Sequence, residues 1–441
     1  MREQTALDRS LGLWHLVLYG LAFTAPLVVL LTFGILDQAS DGTAAGSYLM
    51  ASVAIFFTAI SYGRMSALHT EAGSAYTYAR HALSESVGFL IGWSVLLDYF
   101  LVPMLAALLT AVYLSAALPE VPQALFVVGF IGLITAVNLF GLRITTGVNS
   151  LLMLFQGLVL LAFFALAIRY VIVLYGAASI ETVKPLFRVD VPLCLTAKGA
   201  SLAALSFLGF DAITTLSEEA RKPTRDVPRA LVLVAVIIGF IFVAAAFLAQ
   251  LVEPDPTIKN ASSAGLQLAR MIGGDMFSSV FIIGMVVSQI GAGITAEASV
   301  ARILYAMGSD GVLPSRIFAY VSKRARVPVF NIVFSGIVGL LAVALSEEQG
   351  ASLINFGAFV AFTSVNLCVI ATWLRSRGTD EPRNAFAWLL LPAIGAVFTG
   401  WLLFSLEKDA KIVGLVWISI GVVYLAWLTR AFTRPPPSLR D

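Results

Sequence analysis

Three acidic residues lie inside long apolar stretches of this sequence, where few other charged side chains occur. They are Asp98, Asp211 and Glu297, and no lysine occupies the centre of such a stretch. A charge at the centre of a membrane helix costs about 2.5–3.5 kcal/mol on insertion scales, so these residues are the first candidates for a functional site. An opposite charge 4 Å away is worth about 4 kcal/mol at an effective dielectric of 20. The mainly negative buried charge therefore favours a cationic ligand.

The composition requires that most of the protein surface faces a lipid bilayer. Of 441 residues, 59% are hydrophobic and 12% are charged. A soluble protein is about a quarter charged, so a water-soluble enzyme, a disordered scaffold and a disulfide-stapled secreted domain are excluded. The 28 basic and 26 acidic residues nearly balance, and no nucleic-acid partner is expected. Cys194 and Cys368 form no CxxC pair, and we interpret both as buried apolar filler.

The apolar stretches predict an all-α membrane protein with twelve transmembrane helices. They lie at about 13–36, 47–68, 87–117, 123–141, 147–168, 196–217, 230–251, 276–306, 329–346, 351–374, 387–405 and 412–431. Continuous apolar runs favour helices over the alternating segments of a β-barrel. With the N-terminus in the cytoplasm, most lysines and arginines fall on the cytoplasmic side, so both termini are predicted inside. The first stretch is too long for a signal peptide and is kept as a span.

Two of these stretches contain features that a straight lipid-facing helix avoids. The first includes Gly20 and Pro26, and the sixth includes Gly209 directly before Phe210 and Asp211. Glycine adds backbone freedom and proline removes a hydrogen-bond donor. If the chain consists of two five-span halves, spans 1 and 6 occupy corresponding positions. Paired discontinuous helices of this kind mark a substrate site near the membrane midplane in transporters.

Four sequence motifs, in order along the chain, resemble those of the amino acid–polyamine–organocation permeases. They are Glu71-Ala-Gly-Ser-Ala-Tyr-Thr-Tyr78, Ser206-Phe-Leu-Gly-Phe-Asp211, Glu218-Glu-Ala-Arg-Lys-Pro-Thr-Arg-Asp-Val-Pro228 and Arg302-Ile-Leu-Tyr-Ala-Met-Gly-Ser-Asp-Gly-Val-Leu-Pro314. The resemblance runs from about Leu11 to Arg430. Within the family, segments 93–99, 207–219 and 353–358 are similar to those of bacterial putrescine importers.

The resemblance implies a fold and an activity for the chain. The implied fold is a single LeuT-like transporter domain over 1–441, with discontinuous helices 1 and 6. Its five-plus-five inverted repeat covers about 13–168 and about 196–374, and two peripheral helices follow at about 387–431. The implied activity is proton-linked import of putrescine or a related small amine or polyamine across a bacterial inner membrane by alternating access.

The candidate substrate-binding residues surround the two interruptions. Asp211 has the strongest claim because it adjoins the interruption at Gly209, and Tyr99 could stack on an ammonium group or hydrogen-bond to it. The aromatic residues could enclose the methylene part of an amine. The complete set is Gly20, Phe23, Thr24, Tyr99, Phe207, Gly209, Phe210 and Asp211.

A second set of acidic residues is assigned to gating or ion coupling: Asp98, Glu218, Glu219 and Glu297. Asp98 and Tyr99 are adjacent on a helix and point about 100° apart, so we do not expect both to enter one small site. Glu218 and Glu219 could form ion pairs at the inner gate with Arg221 and Arg225.

Two departures from the wider family bear on substrate and coupling. Leu21-Ala-Phe-Thr-Ala-Pro26 stands where amino-acid permeases commonly carry a glycine-rich run that holds a substrate carboxylate. Bulk and the missing donor of Pro26 favour an amine without a carboxylate. The fifth stretch lacks the lysine of some proton-coupled relatives, and Gln156 is its only long polar side chain. Two possibilities are left for driving uptake: coupling through a carboxylate (Asp98, Asp211 or Glu297), or the membrane potential alone.

Other functions remain as alternatives to amine import. An amino-acid permease for cationic or neutral amino acids is the first, while a channel would need a repeated filter that this sequence lacks. The three histidines, His15, His69 and His81, form no metal pair and accompany no nucleophile motif. We therefore expect no enzyme activity, no metal and no cofactor. Monomer and homodimer are both left open.

Overall fold

The computed structural model describes residues 9–118, 120–176, 184–253, 263–322, 325–345, 356–376, 384–406, 408–431 and 433–434. Regular structure in these ranges is helical, and one isolated bridge pairs Leu11 with Ala220. The α-helices are α1 Leu13–Thr24, α2 Val28–Ala39, α3 Ala44–Leu68, α4 Ala75–Ala82, α5 Glu85–Ala117, α6 Gln123–Leu139, α7 Leu142–Tyr175, α8 Leu193–Ala203, α9 Pro223–Val252, α10 Ala264–Ser309, α11 Ser315–Phe318, α12 Val329–Gly339, α13 Phe356–Ser376, α14 Leu391–Ser405 and α15 Lys408–Leu428.

Nine helical segments in the described part of the chain are long and apolar enough to cross a membrane. The count becomes ten if the bent pair α1 and α2 forms one span. Two shorter apolar helices, Gln123–Leu139 and Val329–Ala344, lie where the fourth and ninth spans were predicted. The chain is therefore a multi-pass helical membrane protein, and the start of the tenth predicted span, 351–355, lies outside the described residues.

Some helices extend beyond the apolar stretches that predicted them. The fifth predicted span ended at 168, but α7 continues to Tyr175, and α10 begins at Ala264 rather than at 276. Within α10 the backbone of Gly274 has φ 65°, so the first part of this helix is separated from the rest. Cys194 is exposed on α8, which makes the expectation of a buried residue wrong there, whereas Cys368 is buried as predicted.

The first predicted span is broken between α1 and α2. Ala25 adopts the left-handed conformation with φ 48°, and the two helices are bent by 44° relative to each other. Pro26 supplies the physical reason, because it has no N–H and disfavours the α conformation of the residue before it.

The sixth predicted span is broken as well. Helix α8 tightens into a 3₁₀ turn at Ala204–Phe207, and Gly209 takes a left-handed conformation with φ 93°. The chain then continues as a second 3₁₀ helix, Phe210–Glu219, which we call the 3₁₀ segment. Its hydroxyl groups support this form, because three of them donate to carbonyls three residues earlier at 2.7 Å (Thr214, Thr215 and Ser217).

The two broken spans lie within the helical core. Helix α1 contacts α9, α10, α7 and the 3₁₀ segment, while α3 packs against α9 and α5 packs against α10. Both interruptions are therefore packed against several long helices.

The last helix, α15, is attached to α5 by Trp93 and Trp417. Their indole rings stack with centroids 4.8 Å apart, and each indole N–H donates to the other residue's carbonyl oxygen, at 2.9 and 2.6 Å. These contacts hold α15 against α5.

Candidate substrate site between the broken helices

Asp211 is a buried carboxylate in the first turn of the 3₁₀ segment. Its side chain is reached from two other parts of the chain. The hydroxyl of Tyr99 on α5 donates to Asp211 Oδ2 at 2.8 Å, and the Ser74 hydroxyl, at the start of α4, donates to the same oxygen at 3.5 Å. The donors are neutral, so they orient the negative charge without neutralising it. The carboxylate keeps the capacity to bind a cation.

Gly209 allows the two interruptions to meet. A Cβ atom at this position would overlap the ring of Phe23 on α1, and its φ of 93° is one that other residues rarely adopt. The Phe23 ring also lies 5.5 Å from the ring of Tyr99, tilted by 53°. Gly20 has a similar packing role, since a Cβ there would come within 2.6 Å of Ile213 on the 3₁₀ segment. Three predicted site residues, Phe23, Tyr99 and Gly209, therefore cluster beside Asp211.

Aromatic residues from α3 and α13 enclose the other side of the 3₁₀ segment. The ring of Phe210 lies 5.6 Å from that of Tyr62 and 5.2 Å from that of Phe362. Tyr62 lies within the electrostatic range of Asp211 and contacts Tyr78 edge-on at 6.0 Å. The hydroxyls of Tyr62 and Tyr78 are buried within reach of the polar side chains of Asp211, Ser74 and Thr214. Hydroxyl groups as well as aromatic rings therefore lie on this side of the 3₁₀ segment.

Two predicted binding residues are occupied elsewhere. Phe207 packs edge-on against Phe242 of α9 at 5.0 Å, before the interruption at Gly209 rather than beside Asp211. The Thr24 hydroxyl donates to the carbonyl of Leu21 at 3.1 Å, so it satisfies a backbone acceptor in the last turn of α1. The structure does not bring either side chain into contact with the carboxylate.

A polar layer ties α1 to α10 and the 3₁₀ segment. The Tyr19 hydroxyl donates to the carbonyl of Thr295 at 2.9 Å and lies 2.9 Å from the hydroxyl of Ser299. Thr215 of the 3₁₀ segment also donates to Ser299, at 3.5 Å. Because both broken spans and α10 share these bonds, the helices are connected at this level.

The 3₁₀ segment ends at a buried ion pair between Glu219 and Arg302 of α10. The Nε and Nη2 atoms of Arg302 donate to the two carboxylate oxygens of Glu219 at 3.0 and 3.2 Å. The segment that precedes α1 joins this point, since the N–H of Leu11 donates to the carbonyl of Glu219 at 3.1 Å. Arg302, rather than Arg221 or Arg225, is therefore the partner of Glu219, and both of those arginines are exposed.

Three further contacts hold the connection between α3 and α5 against neighbouring elements. Glu218 accepts a hydrogen bond from the backbone N–H of Ala72 at 3.2 Å. Asp310, after the end of α10, accepts from Arg80 at 2.6 Å and from the hydroxyl of Tyr76 at 2.8 Å. The predicted motif that begins at Glu71 is thereby linked to the 3₁₀ segment and to the end of α10.

Asp98 and Glu297 each contact a helix other than the 3₁₀ segment that carries Asp211. Asp98 packs against α13, where a Cβ at Gly357 would come within 2.9 Å of it, while the neighbouring Tyr99 faces Asp211. Glu297 on α10 accepts from Thr135 at 2.6 Å and from Asn138 at 2.7 Å, and both of these donors are on α6. No group of three or more residues among those described has the side chains and positions for a metal ion.

Several residues of this region were not identified from the sequence. Ser74 lies inside the first quoted motif, and Tyr19 lies inside the first interrupted stretch, so both had a signal. Tyr62 and Ser299 had none, because a tyrosine or serine in an apolar helix is usually a packing residue. Only the fold shows what these side chains contact.

Comparison with known proteins shows which family this chain belongs to. A family model described as amino acid permease matches residues 12–426. The chain belongs to this permease family. It is 37% identical to the low-affinity putrescine importer PlaP of Escherichia coli K12, over 100% of the chain and 98% of that protein. It is 25% identical to the branched-chain amino acid permease BcaP of Bacillus subtilis, over 95% and 93% of the two chains. A methylthioribose transporter of the same species is 24% identical over 96% and 93%.

These matches confirm the resemblance to amino acid–polyamine–organocation permeases over nearly the whole chain. They also confirm that the protein belongs among transporters rather than enzymes, because the family and the relatives named above are permeases, importers or transporters.

Proposed function

We propose that the protein imports putrescine or a related small amine across the bacterial inner membrane by alternating access. In this proposal twelve spans form a LeuT-like five-plus-five repeat with two peripheral helices, and both termini are cytoplasmic. The amine binds at Asp211, between the broken spans 1 and 6. The buried carboxylate beside both interruptions carries the proposal, supported by the 37% identity to a putrescine importer over the whole chain.

The charge of the site supports a cationic substrate. Asp211 is 2% exposed and is met by neutral donors from Tyr99 and Ser74. An ammonium group replaces the hydration that the carboxylate loses on burial, and at 4 Å the attraction is worth about 4 kcal/mol at an effective dielectric of 20. The rings of Phe23 and Tyr99 offer apolar contact to the methylene groups beside the charge.

The break between α1 and α2 offers few donors for a substrate carboxylate. The N–H of Ala25 donates to the carbonyl of Leu21 at 3.1 Å, Pro26 has no N–H, and the N–H of Val28 donates to Ala25 at 2.8 Å. A carboxylate would need free N–H groups at this point, as half-helix ends supply them in other transporters. This favours an amine that lacks a carboxylate over an α-amino acid.

We interpret the contacts at Glu219, where the 3₁₀ segment ends, as an inner gate in its closed state. The Glu219–Arg302 ion pair joins the 3₁₀ segment to α10, and the hydrogen bond from Leu11 joins the segment that precedes α1 to the same point. We infer that these contacts separate when the amine leaves toward the cytoplasm. The membrane potential assists entry, because each positive charge carried inward gains about 2.3 kcal/mol per 100 mV.

The alternative is transport of an amino acid. It is favoured by the 25% identity to a branched-chain amino acid permease over 95% of the chain. Competition separates the two possibilities. Unlabelled putrescine should abolish uptake of labelled putrescine, whereas arginine, ornithine and neutral amino acids at equal concentration should have little effect. The reverse ranking would favour the amino-acid permease.

The first test is uptake of labelled putrescine into proteoliposomes. We expect saturable uptake by the wild type and less than about a tenth of that rate for Asp211→Asn, because the substitution removes the attraction to the ammonium group. Asp275→Asn is the matched control, since Asp275 is an exposed carboxylate on α10 whose partner is Arg270. Undiminished uptake by Asp211→Asn would remove Asp211 from the proposal, and uptake that does not saturate would favour a channel.

A further inference from the structure

The carboxylate of Glu297 is a buried acid that substrate binding does not use. It is 1% exposed, it lies on α10, and its two oxygens accept hydrogen bonds from Thr135 and Asn138 of α6. The Asn138 amide also donates to the carbonyl of Ile294 at 3.0 Å, which fixes its orientation. A carboxylate held only by neutral donors can take up a proton without breaking an ion pair.

Charged and titratable groups on α10 and on the helices that pack against it have contacts of their own. Arg302 on α10 is paired with Glu219 of the 3₁₀ segment, and Tyr19 of α1 is bonded to α10. Asp98 of α5 packs against α13. On α12, the backbone at Gly336 approaches Glu297 Oε1, with a Cβ there only 3.3 Å away. None of the described residues forms an ion pair with this carboxylate.

A small cavity lies between the Glu297 site and the inner gate. It has a volume of about 10 Å³ and is lined by residues that include Asn138, Arg302, Val327 and Pro328. This volume is near the lower limit for one water molecule. Asn138 donates to Glu297, and Val327 and Pro328 belong to the connection before α12. The cavity therefore adjoins both Asn138, a donor to Glu297, and Arg302 of the inner gate.

We propose that Glu297 carries the proton that is coupled to amine import. This inference rests on the proposed function. One proton adds to a carboxylate oxygen while the site faces outward, and the same proton leaves to water on the cytoplasmic side; no covalent bond to the amine forms or breaks. Ionised Glu297 accepts from Thr135 and Asn138 and ties α10 to α6. Protonation turns one acceptor oxygen into a donor and weakens this tie, so α10 can move and separate Arg302 from Glu219.

Glu297→Gln tests the proposal, because the amide resembles the protonated acid and cannot ionise. The wild type in proteoliposomes, with the membrane potential clamped at zero, should accumulate putrescine about tenfold per pH unit of inward proton gradient. Glu297→Gln should exchange internal for external putrescine but accumulate none under this gradient. Asp275→Asn, an exposed carboxylate on the same helix, should behave as the wild type does. Accumulation by Glu297→Gln at the wild-type level would overturn the proposal.

Other outcomes are also decisive. A wild type that exchanges putrescine but ignores the proton gradient would overturn the role of Glu297 and leave the proposed function intact, whereas absence of exchange would overturn both. If Glu297→Gln loses exchange as well, the variant Thr135→Val tests the role of Glu297 instead. This variant removes one donor to the ionised carboxylate, so the pH profile of uptake should move to more alkaline values. An unchanged profile would overturn the proposal.

Discussion

At the scale of single residues, the site depends on the absence of a side chain at Gly209. Its left-handed backbone and its contact with the Phe23 ring both exclude a Cβ atom. These constraints place Phe23 next to Tyr99 and leave Asp211 at the start of the 3₁₀ segment. The carboxylate is thus positioned by packing as well as by its hydrogen bonds.

Gly209→Ala is expected to lower the thermal stability of the purified protein and abolish putrescine uptake. The reason is steric overlap with Phe23 together with about 1 kcal/mol or more of backbone strain. Gly157→Ala is the matched control, because a Cβ there meets nothing within 4 Å and alanine is the better helix former. Thermal unfolding in detergent measures both variants. A Gly209→Ala protein as stable and active as the control would contradict the packing described here.

The sequence predicted some of these residues and not others, for physical reasons. A proline or glycine in an apolar stretch indicates a break directly, and Pro26 and Gly209 lie at the two breaks. Hydrogen bonds between distant helices leave no local signal. Ser74 approaches Asp211 because its own backbone, in the connection before α4, has φ 52°. A sequence pattern does not specify this conformation.

At the scale of elements, the buried ion pair between the 3₁₀ segment and α10 holds the proposed inner gate closed. Each partner would be an uncompensated buried charge without the other, and breaking such a pair costs about 3–5 kcal/mol. The sequence suggested nearby arginines as partners because it could not show that α10 brings Arg302 to Glu219.

Glu219→Gln and Arg302→Met should each lower the melting temperature, and the double variant should lose less than the sum of the two. The double variant leaves no charge unpaired, whereas each single variant leaves one. Thermal unfolding in detergent is the measurement. The exposed pair Arg270–Asp275 on α10 provides the control, since its removal should cost at most about 1 kcal/mol. Strictly additive losses at Glu219 and Arg302 would show that the two side chains do not interact.

The region between α3 and α5, which includes α4, carries a pair of stacked histidines outside the membrane spans. The rings of His69 and His81 are 4.5 Å apart and nearly parallel, and His81 lies 3.4 Å from Glu71. Burial lowers the pKa of His69 below its ordinary value of 6.5, and the ring of His81 lowers it further, while Glu71 acts in the opposite direction.

This lowered pKa predicts a loss of stability in acid. Above pH 6.5 His69 is neutral in both the folded and unfolded chain and contributes nothing. As the pH falls below 6.5, the unfolded chain binds the proton first, so the free energy of unfolding decreases until the folded protein is protonated as well. His69→Gln should flatten the melting temperature between pH 5 and about 6.5, and His15→Gln, outside the pair, should not. Equal slopes for both variants would contradict this contribution.

At the scale of the whole molecule, hydropathy located the helices well because lipid imposes long apolar runs. The positions of α3, α5 and α15 follow the predicted spans to within about four residues at each end. Hydropathy did less well at the end of α7, because the predicted span stopped before Arg169 and Tyr170, although the apolar residues Val171–Leu174 continue the helix. It also could not show which helices meet, so the pairing of Glu297 with α6 came only from the fold.

Equilibrium binding of putrescine to the purified protein tests the central claim most directly, because it needs no gradient, gate or coupling. The wild type should bind putrescine saturably, and Asp275→Asn should bind it equally well. Asp211→Asn should bind at least about 100-fold more weakly, since the ammonium group loses the charge that the proposed site places against it. Equal affinity of Asp211→Asn and the wild type would contradict a substrate site at the junction of the two broken helices.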